Sequence, residues 1–145
     1  MFLDTSALVK YYVDEPGSVQ VRTAWKESDQ VAVSALISPE LASALWRLVR
    51  EDRLDHHEAV SIQSEWWRDC QMCLEIGLDS GLGQVGKEAA RFCQVYGLRG
   101  ADAVHLSSAL QVLGQHHRET HTFLSADERL RSAALAEGLI APPVA

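Results

Sequence analysis

Four short, mostly apolar runs punctuate the chain: MFLD (1–4), VAVSAL (31–36), CLEIGL (73–78) and HTFLS (121–125). A segment of helical spacing follows each of them. This alternation constrains the fold more than any other feature. Strand and helix in regular succession argue for an α/β domain, with a mostly parallel sheet covered on both faces. In such sheets ligands bind outside the carboxyl ends of the strands.

After the strand at 1–4, residues 5–13 (TSALVKYYV) read as a helix capped by Thr5 or Ser6. DEPGS (14–18) turns the chain, and 18–28 has helical spacing with Val21, Ala24 and Trp25 on one face. In ISPELASALWRLVREDRL, Ser38 suits the cap, Pro39 the first helical position and Glu40 the first turn. Leu41, Leu45, Leu48 and Val49 make its apolar stripe. Another helix runs from His56 to Cys73, DSGLG (79–83) is a loop, and a helix at 86–96 stops at Gly97. Beyond LRG a helix covers 101–113, GQHHRET is a polar loop, and the helix at 126–138 stops at Gly138. One domain is expected over 1–141, with 142–145 as an extended tail.

A chain of 145 residues buries roughly two-thirds or more of its unfolded surface in one core. It has no run of 18 apolar residues and no basic–apolar–small leader at the start, so a cytoplasmic protein without a membrane span is expected. Three cysteines are an odd count and argue against a disulfide scaffold. Cys70 and Cys73 form a C-x-x-C, but zinc needs a second ligand pair, so they read as packed thiols. The net charge of −7 is opposite to that of a general nucleic-acid binder. It fits concentrated acidic sites or a basic partner.

The placement of the acids is more specific. Asp4 ends the first strand, Glu40 opens the helix after the second, Asp102 opens the helix after LRG, and Asp127 opens the last helix. Taken singly, Glu40, Asp102 and Asp127 are ordinary helix-start residues, favoured by the helix dipole, whereas Asp4 is harder to dismiss, although it could cap the helix at 5–13. Taken together they are costly. Two carboxylates ~4 Å apart repel by about 4 kcal/mol at an effective dielectric near 20. Several on one rim need protons, basic partners or a hard cation such as Mg²⁺ or Mn²⁺. Such a site suits a phosphate ester substrate.

At these residues the chain resembles the PIN-domain ribonucleases, and more closely the VapC-type toxins of toxin–antitoxin pairs. LDTSALVKYYVDEPGS, VSALISPELASALWR, LRGADAVHLSSAL and FLSADERLRSAALAEGL carry the resemblance, in the family's order and over nearly the whole chain. It implies a three-layer α/β/α domain and Mg²⁺- or Mn²⁺-dependent endoribonuclease activity. The implied metal and catalytic site is Asp4, Glu40, Asp102 and Asp127. Ser6 matches the hydroxyl after the first aspartate, and Thr5 and Ser125 are weaker members of the same polar shell. Asp4 and Asp102 would hold the main ion. Glu40 and Asp127 would complete its shell, hold a second ion or orient the water that attacks the phosphorus. A homodimer is implied, as is a cognate antitoxin whose tail lies in an apolar groove on the helices at 5–13 and 40–54. The alternative is a catalytically silent PIN-like module that binds protein or RNA. Loss of an acid would mark it, and all four are present.

Rival chemistries fail on residues. A haloacid-dehalogenase phosphatase needs an aspartate where Ser6 stands, and no G-x-S-x-G elbow or Walker A motif occurs. Arg47, Arg50 and Arg53 form either a basic edge that guides RNA phosphates or a solvated helix face. Trp46, Trp66 and Trp67 read as core. His105, one turn from Asp102, reads as a core or edge histidine rather than an outer-shell group. His56–His57 and His116–His117 read as exposed.

Overall fold

Phe2 and Leu3 are both fully buried, yet they face opposite ways, and this alternation organises the domain. A computed structural model describes residues 1–113 and 121–144, the side chains of 80–82 and 113 excepted. Its strands are β1 (Phe2–Leu3), β2 (Ala32–Ser34), β3 (Leu74–Ile76) and β4 (Phe123–Leu124). All pair in parallel, in the order β3-β2-β1-β4. Phe2 lies opposite Ala32 on one side and Phe123 on the other, and the two phenyl rings stack at 5.6 Å.

The helices are α1 (Thr5–Tyr12), α2 (Ser18–Glu27), α3 (Ile37–Arg50), α4 (His56–Asp69), α5 (Ser80–Tyr96), α6 (Gly100–Leu113) and α7 (Glu128–Ala136). Because side chains alternate along a strand, Phe2, Ala32 and Phe123 pack with α5, α6 and α7. Leu3, Val33 and Leu124 pack with α1 to α4 on the opposite face. The result is the expected α/β/α sandwich. β3 is less buried than the other three strands. It is the edge strand, and Leu74 is 45% exposed.

Several local expectations need correction. Of the candidate caps of α1, Asp4 takes the role rather than Thr5 or Ser6: its Oδ1 accepts the Ala7 N–H at 2.9 Å. α3 starts at Ile37, one residue before the expected cap. Ser38 is therefore inside the helix, where its Oγ accepts the Trp66 indole N–H at 2.9 Å. α4 stops at Asp69, and a single 3₁₀ turn at Cys70–Met72 leads into β3. The expected loop at 79–83 is instead the first part of α5. Gly83 holds φ +78° there, yet its N–H still reaches the Asp79 carbonyl. Glycine tolerates that backbone, so residues that read as punctuation begin a helix. Asp127 caps α7 through the Leu130 N–H, so this helix starts two residues later than expected. The stop at Gly97 is as expected, with φ +63°.

Trp66 is buried as expected, whereas Trp67 is 51% exposed. The thiols of Cys70 and Cys73 are free and pack on the α1–α4 side, each donating to a carbonyl in the last turn of α4. The loop expected at 114–120, with His116 and His117, lies outside the described residues. Among those described, no helix is long and apolar enough to cross a membrane.

Candidate active site

β1 is the strand at which the sheet order reverses: β2 and β3 lie to one side, β4 to the other. A crevice forms outside the carboxyl end of such a switch. Asp4 directly follows β1, and Ser125 and Asp127 follow the neighbouring β4. Glu40 stands in the first turn of α3 after β2, and Asp102 in the first turn of α6. Asp4, Glu40, Asp102, Asp127, Thr5 and Ser6 all line one cleft of about 500 Å³. Each acid also sits at a helix N-terminus, and two of them cap it. The ordinary capping role and membership of the cleft thus coincide.

Asp4 is 3% exposed and fully partnered. Ser6 Oγ lies 2.9 Å from both its carboxylate oxygens, and Ser125 Oγ donates to Oδ2 at 2.9 Å. The two serines are fixed in turn: Ser6 Oγ accepts the Ala126 N–H, and Ser125 Oγ accepts the Asp127 N–H. Burial raises the Asp4 pKa above the ordinary value, against the pull of these hydrogen bonds and of His105.

Glu40 is held through one oxygen. Its Oε2 accepts from Thr5 Oγ1 at 2.6 Å and lies 2.5 Å from His105 Nε2. Burial pushes its carboxyl up, but the hydrogen bonds from His105 and Thr5, with the charge of His105, outweigh that and leave it below the ordinary range. Asp102 is different. It is half-buried and has no hydrogen-bond partner among the described residues. Burial, then the like charges of Asp127 and Glu40, raise its pKa. Asp127 is exposed, with Oδ1 committed to its own helix.

A basic rim surrounds these acids. Arg47, Arg53, Lys10 and Arg99 line the same cleft, and Arg50 does not. Arg53 lies beyond the end of α3, so the three arginines expected along one helical edge do not form one. Arg53 and Lys10 are both paired with Glu15. Arg99 is a cleft residue that sequence reasoning misses. Its only signal is its place three residues before Asp102. His105 is buried, as expected of a core histidine, and nevertheless bonds an acid of the cleft.

The donor set is carboxylate and hydroxyl oxygen, which suits Mg²⁺ or Mn²⁺ rather than a softer ion. Among the described residues, no three His, Cys, Asp or Glu side chains are already drawn into a ready metal nest. The four acids line the cleft instead, Asp4 and Glu40 held by hydroxyls and Asp127 by the first turn of its own helix. After burial, the charges of Asp127 and Glu40 crowd Asp102, and His105 and Arg99 oppose that crowding. A divalent cation would relieve it, so the residues fit such an ion.

Comparison with known proteins gives the family and the fold. The family model described as "PIN domain" matches residues 1–135. The chain is 32% identical over 112 residues to ribonuclease VapC45 of Mycobacterium tuberculosis (strain CDC 1551 / Oshkosh), covering 77% of this chain and 76% of the relative. The same figures hold for ribonuclease VapC49 of strain H37Rv. Among solved structures, FitAcB from Neisseria gonorrhoeae superposes with a TM-score of 0.63 at 15% identity, over 97% of this chain and 94% of that one. At that identity the superposition speaks for the fold alone.

Proposed function

The chain belongs to the PIN-domain family, among its VapC-type ribonucleases, and from that premise we propose that it is the toxin of a toxin–antitoxin pair, a metal-dependent endoribonuclease acting at the acidic cleft. The observation that carries the site assignment is the meeting of Asp4, Glu40, Asp102 and Asp127 at one cleft from four separate parts of the chain.

In this reading Asp4, Asp102, Glu40 and Asp127 hold Mg²⁺ or Mn²⁺. When bound, such an ion supplies a Lewis acid for the scissile phosphate and lowers the pKa of water. The protein contributes orientation. Ser6 and Ser125 hold the Asp4 carboxylate in a single pose. Asp102, half-buried, crowded by Asp127 and Glu40 and without a hydrogen-bond partner among the described residues, is the carboxylate most ready to bind a cation. Arg47 and Arg99 receive substrate phosphates on either side of the scissile one, offsetting the repulsion between RNA and the acids. The substrate is RNA, the place of action is the cytoplasm, and a cognate antitoxin restrains the activity. We assign the domain to residues 1–141, and the active form to a homodimer.

The test is cleavage of total small RNA by the purified chain with Mn²⁺, with Mg²⁺ and with EDTA, beside Asp102→Asn. Discrete fragments that need metal and disappear in the variant are the expected result. No fragments from folded protein free of antitoxin, or the same fragments from the variant, would leave the chain a binding module.

A further inference from the structure

α6 brings two groups to the site, not one. Asp102 and His105 are three residues apart, so they share a helix face. His105 is 1% exposed, and its ring stands edge-on to Phe2 at a centroid distance of 6.4 Å. Packed this way, the imidazole has little room to turn. Its Nε2 faces two oxygens, Glu40 Oε2 at 2.5 Å and Thr5 Oγ1 at 3.3 Å. A carboxylate only accepts, so Nε2 carries the proton and donates.

The other ring nitrogen is the informative one. Nδ1 is buried with no hydrogen-bond partner among the described residues. A polar atom left so costs stability, and a leucine or phenylalanine would fill the space without that cost. Core packing therefore does not account for a histidine here. The bond to Glu40 does, since it pins the first turn of α3 to α6 across the end of β1. Thr5, the residue after Asp4, donates to the same oxygen. Together the two donors occupy Oε2 and leave Oε1 uncommitted among the described residues.

We propose that His105 is a positioning residue of the acidic site: with Thr5 it ties down Glu40 Oε2, so that Glu40 offers one oriented oxygen, Oε1, to a divalent cation in the cleft. The inference rests on the metal-site reading given above. Groups that hydrogen-bond a metal ligand fix its direction, and removing one typically costs 10–100-fold in metal affinity.

Mn²⁺ titration calorimetry of the full chain, with melting curves in EDTA, tests this on wild type, His105→Phe, His105→Gln and Asp102→Asn. His105→Phe should lose Mn²⁺ affinity by about 10-fold or more, while its melting curve in EDTA shows that it is folded at the titration temperature. His105→Gln places an amide N–H near the Nε2 position and should recover most of that affinity. If His105→Phe binds Mn²⁺ like wild type while Asp102→Asn does not, His105 is only core and the proposal fails. If Asp102→Asn also binds like wild type, or wild type binds no Mn²⁺, the metal-site reading itself fails. Should His105→Phe not fold, His105→Asn replaces it. Its shorter amide reaches only the Nδ1 position, so equal affinities for Asn and Gln would overturn the proposal.

Discussion

Asp102 carries the clearest consequence of like charges brought together. Burial and the charges of Asp127 and Glu40 raise its pKa above the ordinary 3.8. Between 3.8 and that raised value the folded chain binds more protons than the unfolded one. Its contribution to stability therefore falls as pH rises through that window, and the penalty is complete above it. In EDTA, Asp102→Asn should melt above wild type at pH 7, and the gap should close as pH falls towards 3.8. A variant that melts lower at pH 7 would contradict the crowding. Glu40 has the opposite sign. Its pKa lies below the ordinary 4.5, so its contribution is present above 4.5 and is lost as pH falls through the folded value. The residue identities at these positions are readable in the sequence, as is their preference for helix starts. Their partners are not. Nothing in the spacing of Thr5, Glu40 and His105 says that they share one oxygen, because pairings across 35 and 65 residues are made by packing.

At the scale of elements, α3 ties the site to the core. Ile37, Leu41, Leu45 and Leu48 are all buried along one stripe, and Glu40 projects from its first turn. Trp66 of α4 locks against it through Ser38. Leu45→Ala should cost about 2–5 kcal/mol in urea unfolding, the range for a leucine truncated in a packed core. RNA cleavage per folded molecule should stay near wild type, because Glu40 lies more than a helical turn away. The stripe is legible because a 3.6-residue period needs no partner to be seen. The start of α3 is not. Ser38 looks like a cap in sequence, but Trp66 claims its hydroxyl. The glycines at 79–83 look like a loop because the helical backbone bond at Gly83 leaves no trace in composition.

At the scale of the whole molecule, the net charge of −7 sets the terms on which RNA can bind. Repulsion over the surface must be offset locally, and Arg99 and Arg47 at the cleft are placed to do so. In the Asp102→Asn background, which the proposed site predicts does not cleave, RNA affinity by fluorescence anisotropy should fall with rising salt. Arg99→Ala should reduce the slope of log affinity against log salt by about 1, the share of a single neutralised phosphate. An unchanged slope would remove Arg99 from the RNA-binding surface.

What the sequence determined by itself was the kind of molecule: strands alternating with helices, and four carboxylates at helix starts. Periodicity and capping are local physics, written into neighbouring residues. The tertiary structure decided which groups meet. Parallel order β3-β2-β1-β4 sets Asp4 beside Ser125 and carries α6 over the sheet. His105 thereby reaches Glu40, and Arg99 comes to the cleft. Those juxtapositions depend on the direction in which each helix leaves its strand and the face on which it packs, and no stretch of sequence encodes them alone.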